Sequence, residues 1–118
     1  MLIGSLNPVV LIEAKRGKSN MNKQMVCVRV QIYGKVQGVF YRLSTQKTAQ
    51  AAGVTGWVRN MSDGSVEAFF EGDQAAVDTV LKWCHGGPAR AHVERVIVRN
   101  EPYSSRYTDF TVRSSSSA

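Results

Sequence analysis

Residues 34–42 read Gly-Lys-Val-Gln-Gly-Val-Phe-Tyr-Arg, a run whose residue types suit the gripping of an anion. Gly34 and Gly38 permit backbone angles closed to other residues. A turn built on them can aim successive N–H groups at one point, as an anion-binding nest. A helix beginning at Arg42 would add its first amides, which have no partners within a helix and can donate to phosphate oxygens. Arg42 contributes a planar fork of charged donors. A cation at a helix start is disfavoured by the helix dipole unless it serves an anion. The same glycines are also consistent with a plain, tight strand-to-helix turn.

Asn60 is the second candidate. It closes a strand just before a hairpin, where a turn-forming Asn is common. An amide beside a bound phosphate can also hold a water, because it both donates and accepts. An Asp there would repel the anion. If the first and second strands lay side by side, Asn60 would come near the 34–42 loop.

The elements that must position these residues follow from periodicity. Val26, Val28, Val30 and Ile32 alternate with Cys27, Arg29, Gln31 and Tyr33, which predicts a half-buried strand. Arg42 to Ala52 predicts a weakly amphipathic helix closed by Gly53. Val54 to Asn60 is a second strand, Ser62-Asp63-Gly64 a hairpin turn, and Ser65 to Glu71 a third strand. Asp73 can cap a second helix running to about His85, whose apolar stripe is Ala76, Val77, Val80, Leu81 and Cys84. Gly86-Gly87-Pro88 ends it, Val93, Val96 and Val98 mark a fourth strand, and Thr108 to Val112 a short fifth. The order predicts an α+β fold of the ferredoxin-like split βαβ type (βαββαβ), an antiparallel sheet with both helices on one face plus the short fifth strand. This fold hosts many functions and decides none.

Composition narrows the field. The 118 residues fit one domain of globular apolar content, 43%, with no apolar run long enough to span a membrane. Of the net charge of +6, half comes from residues 1–25, where Lys15, Arg16, Lys18 and Lys23 stand against Glu13. Residues 1–25 read as a flexible extension without a secretory signal pattern, 26–113 as the domain, and 114–118 as a disordered Ser-rich tail. Cys27 and Cys84 make neither a disulfide framework nor a metal site. His85 and His92 have no nucleophile to serve and are expected to be structural or exposed. Trp57 and Trp83 are expected in or beside the core.

The run Gly34 to Arg42 resembles the signature of the acylphosphatase family, Gly-x-Val-Gln-Gly-Val-x-Phe-Arg. A second block, Gly53-Val-Thr-Gly-Trp-Val-Arg-Asn60 followed by Asp63-Gly64-Ser-Val-Glu67, is similar to the family's next motif. Weaker echoes at Thr45, Ala49, Gly87-Pro88, Val93 to Val96 and Phe110 to Arg113 extend the resemblance over about residues 26–113. Tyr41 departs from the usual Phe, keeping the ring and adding a hydroxyl.

The resemblance implies hydrolysis of acyl phosphates, the mixed anhydrides of a carboxylic acid and phosphate. By motif position Arg42 binds the phosphoryl group, Asn60 orients the attacking water, and the amides of Gln37, Gly38, Val39, Phe40, Tyr41 and Arg42 form the cradle. It further implies no cofactor and no metal. The partners expected are small acyl phosphates and inorganic phosphate, with no nucleic acid and no membrane, for a cytoplasmic monomer. The absence of an acyl-pocket motif suggests broad acyl tolerance. The rival readings are a non-catalytic phosphate-binding module and an RNA-binding ferredoxin-like module. Against the latter, Phe69 and Phe70 are adjacent, so on a strand they point to opposite faces and make a poor stacking platform.

Overall fold

Alternation builds the first strand, β1 (Met25–Lys35), in the computed structural model, which describes residues 24–115. The expectations for the extension and the tail lie outside those residues, except at Gln24, Met25, Ser114 and Ser115. Helix α1 (Tyr41–Ala52) follows, then β2 (Thr55–Asn60), β3 (Val66–Asp73), α2 (Gln74–Cys84), β4 (His92–Glu101) and β5 (Phe110–Val112). Gly53 ends α1 in the left-handed region and donates to Ala49 and Gln50 carbonyls. Asp73 occupies the capping position of α2, but its side chain makes no cap bond. The first amide of the helix is taken from just before β1, since Gln74 N–H donates to Gln24 O at 2.9 Å. Gln24 and Met25 therefore belong with the domain, and Met25 pairs with Asp73.

The sheet is mixed, with order β4-β1-β3-β2-β5. The first four strands pair antiparallel, while β5 runs parallel to β2. Apolar residues on one face of the sheet, among them Val30, Ile32, Val58 and Phe70, pack with Ala49 of α1 and Val77, Val80 and Cys84 of α2. The opposite face carries a second cluster of Cys27, Trp57 and Phe69. Phe69 and Phe70 thus do point to opposite faces, as their adjacency requires. Trp57 and Phe69 are closed over by Arg113, whose guanidinium lies 4.5 Å from the Trp57 ring centre, and by Arg59 and Arg29. They keep 3% and 1% of their surface, which leaves little aromatic face for a base to stack on. Among the described residues, no helix is long and apolar enough to cross a membrane.

The expected adjacency of the first and second strands is not what the fold provides. β3 lies between β1 and β2. The loop and Asn60 meet for a different reason. β1 outruns β3, because Ile32 already faces Val66, the first residue of β3. The chain beyond Lys35 therefore passes over the β2–β3 turn and arrives at the end of β2.

A buried carboxylate secures the far side of the sheet. Glu71, 1% exposed, accepts from the amides of Ser104, Ser105 and Arg106 and from the Ser104 hydroxyl, at 2.9–3.2 Å. Burial alone would raise its pKa, but these donors outweigh it and hold the carboxyl below its ordinary value. A carboxyl with a depressed folded pKa stabilises above its unfolded pKa, near 4.3 for Glu, and that contribution is lost as pH falls through the folded value. Glu71→Gln is therefore expected to lower stability at neutral pH by about 2 kcal/mol. The gap to the native chain should close in acid, as thermal melts against pH would record. Equal Tm values at pH 7 would contradict the anchor.

Candidate active site

The strand-to-helix loop is shaped by backbone angles that few residues accept. At Gly34 (φ 130°) the β1–β4 register shifts, and a Cβ there would lie 2.2 Å from His92 O. Val36 and Val39 are buried, pinning the loop to the core. Gly38 adopts φ 76° with open space around it, so it is the angle and not the room that calls for glycine. Phe40 also sits in the left-handed region, at φ 65° and ψ 23°, and the residue is 70% exposed. No amide of residues 36–43 donates to a backbone acceptor among the described residues; the first to do so is Ser44, to Phe40 O at 3.0 Å. A row of free N–H groups thus ends at the N-terminus of α1, whose first turn holds no acid. This is an environment that favours an anion.

A cleft of about 500 Å³ opens beside this row, with Gly38, Phe40, Arg42, Leu43, Asn60 and Val112 on its walls. Arg42 is half-buried and forms no ion pair or hydrogen bond among the described residues. Asn60 enters from the end of β2, and its Oδ1 is buried without a hydrogen-bond partner. A buried polar atom left so costs about 1–3 kcal/mol, which a donor in the cleft would relieve. The fold therefore brings Arg42, Asn60 and the loop residues Gly38, Phe40 and Tyr41 to one cleft, although they come from different elements, while Gln37 and Val39 of the expected cradle are not among its lining residues. His85 and His92 are exposed and do not line it. Cys27 and Cys84 are buried free thiols, pushed up by burial to about 11 and about 12 respectively. Both stay protonated near neutrality and unreactive.

Two side chains have roles that spacing did not disclose. Gln37 Nε2 donates to Met61 O and Ser65 O, each at 2.8 Å. The side chain thus ties the loop to the β2–β3 turn, and its Nε2 has no hydrogen left to donate to a ligand. That turn is itself braced by Asp63, whose carboxylate accepts from Ser65 N at 2.9 Å and is held below its ordinary pKa by the Ser65 hydroxyl and amide. Tyr41 is buried, and its hydroxyl donates to Cys84 O at 2.6 Å at the end of α2. Burial pushes its ionisation far above the usual phenol range, so it is no proton donor to the cleft. The departure from Phe at this position thus adds a cross-link between the two helices. Trp83 packs beside the Tyr41 ring at 5.4 Å.

Fold and cleft define a ferredoxin-like α+β domain with an electropositive loop at one end of its sheet. The family model for acylphosphatase matches residues 28–112. An acylphosphatase of Rubrobacter xylanophilus is 53% identical over 77% of this chain and 83% of its own length. One from Geobacter sulfurreducens is 50% identical over 71% of this chain and 92% of its own. The solved structure of an acylphosphatase from Coxiella burnetii superposes with a TM-score of 0.73 at 36% identity, covering 79% of this chain and 96% of that one. The chain belongs to the acylphosphatase family and is an enzyme of that class.

Gln37→Leu keeps the volume and removes both hydrogen bonds, leaving the Met61 and Ser65 carbonyls with only their turn partners, Gly64 N–H and Met61 N–H. It is expected to cost about 1–3 kcal/mol in denaturant unfolding and to weaken inhibition by inorganic phosphate several-fold. Unchanged phosphate inhibition would mean that the loop holds its shape without this tie.

Proposed function

We propose that the enzyme hydrolyses acyl phosphates by direct attack of water on phosphorus. In this reading Arg42 and the amides of Gln37 to Arg42 hold the phosphoryl oxygens, and Asn60 orients the water. The observation that carries it is the unpartnered, buried Oδ1 of Asn60 in the same cleft as the uncommitted guanidinium of Arg42. Oδ1 accepts one O–H of the water and leaves its lone pair aimed at phosphorus. The new P–O bond forms as the bond to the carboxyl oxygen breaks, and that electron pair leaves with the carboxylate. One water proton passes to a phosphoryl oxygen, giving dihydrogen phosphate and the carboxylate from the acyl phosphate dianion. The leaving group's conjugate acid has a pKa of about 4, so no general acid is required. Phosphoryl transfer through a loose transition state needs mainly positioning and charge stabilisation. The unpaired amides and Arg42 supply both without reorganising during the reaction. On this reading the enzyme acts as a cytoplasmic monomer on free small molecules, with no cofactor and no nucleic-acid or membrane partner.

Release of phosphate from benzoyl phosphate in the presence of EDTA, inhibited by inorganic phosphate, is the direct test. Arg42→Ala is expected to lower kcat/KM by roughly 100-fold or more. Asn60→Ala is expected to lose turnover to a similar degree while phosphate inhibition stays within a few-fold. Substantial turnover by Asn60→Ala would remove the water-orienting role. An intact chain that binds phosphate without hydrolysing any acyl phosphate would be an anion-binding module instead.

A further inference from the structure

The large apolar side chains exposed among the described residues are Met25, Phe40, Leu43, Val98, Tyr103 and Val112. Scattered singly, such residues need no explanation. Three of them, however, stand around the one cleft that also holds Arg42 and Asn60: Phe40, Leu43 and Val112. Phe40 is costly where it is, because the left-handed region is unfavourable for a residue with a Cβ, and its exposed ring contributes little to the core. Leu43 stands on the first turn of α1, three residues after Phe40, and lines the same cleft. Val112 arrives from the other side, on β5, opposite Val58 of β2. The apolar wall therefore has contributors from the loop, the helix and the sheet, and its position beside Arg42 leaves space beyond what a phosphoryl group would fill. No acid lines the cleft, and Arg42 is the one cation among its lining residues.

We infer that Phe40, Leu43 and Val112 form a lip that receives the acyl part of the substrate. The preferred substrates are then phosphates of uncharged, apolar carboxylic acids several carbons long, over acetyl phosphate and over acyl groups ending in a charge. This rests on the reading of the cleft as the phosphoryl site, and it narrows the broad acyl tolerance that the sequence suggests. The lip acts by burying hydrocarbon while the phosphoryl group is held, so it discriminates through transition-state binding.

The straight-chain series acetyl, butyryl and hexanoyl phosphate tests it, because the leaving carboxylates have nearly equal basicity and differ mainly in hydrocarbon. Full burial of a methylene corresponds to about 4-fold in kcat/KM, and the half-burial possible in an open cleft to about twofold. The native enzyme should therefore favour hexanoyl over acetyl phosphate, which differ by four methylenes, by about 16-fold. Leu43→Ala, an exposed site where folding is not at risk, should cut that ratio roughly threefold. Phe40→Ala should cut it further. A flat series, or a preference for succinyl phosphate, would overturn the lip and leave the hydrolysis reading intact. Failure to hydrolyse any member would instead sink that underlying reading.

Discussion

A loop whose amides have no backbone partners is held by something other than its own hydrogen bonds. Here that something is the Gln37 side chain, which donates from one nitrogen to the carbonyls of Met61 and Ser65. The tie matters twice. It fixes the loop in a form whose N–H groups have no backbone partner, and it fixes the loop against the turn that follows Asn60. β1 and β2 do not touch, since β3 separates them. The spacing between the anion-favouring amides and the Asn60 amide therefore depends on this crossing and on the Val36 and Val39 anchors. The Tyr41 hydroxyl on Cys84 O adds a second brace at the start of α1.

The cleft keeps several local costs that folding alone would not select. Phe40 is in a left-handed conformation, Asn60 Oδ1 is buried and unpaired, and Arg42 stands at a helix start against the dipole. A bound anion would relieve Arg42 and a donor water Asn60 Oδ1, whereas the backbone strain at Phe40 stays whatever is bound. Such concentration of unfavourable local features at one place is what a binding site asks of a fold that is otherwise self-consistent. Outside the cleft the charged groups are well paired, Glu71 with its row of donors and Arg29 and Arg59 on Glu67 over the Trp57–Phe69 face, although Gln31 Oε1 is also buried without a partner and Ser105 is also left-handed.

Much of this was legible in the residues. The alternation in β1, the apolar stripe of α2 and the glycine after α1 placed those elements, because each reports a local periodicity or a backbone angle. The loop and Asn60 were legible as types suited to an anion and a water. Their meeting was not derivable in detail, since strand order depends on long-range pairing. The adjacency of β1 and β2 was the wrong route to the right neighbourhood. The parallel pairing of β5 left no mark in its short sequence, so Val112 could not be seen as part of the cleft. Asp73 looked like a cap by type, but Gln24, distant in sequence, took the first amide of α2. Gln37 and Tyr41 were quoted for the motif they belong to, whereas their side-chain partners lie 24 to 43 residues away. Phe40 was legible as a cradle amide, but only the exposure of its side chain and that of Leu43 placed both on the rim.

The central claim is that the cleft holds the phosphoryl group for attack by water, so that the P–O bond and not the C–O bond breaks. A single turnover in water enriched in oxygen-18, analysed by mass spectrometry of both products, tests this most directly. The account predicts the label in inorganic phosphate and an unlabelled carboxylate. Label in the carboxylate would mean attack at the acyl carbon, and would contradict the roles assigned to Arg42, Asn60 and the loop.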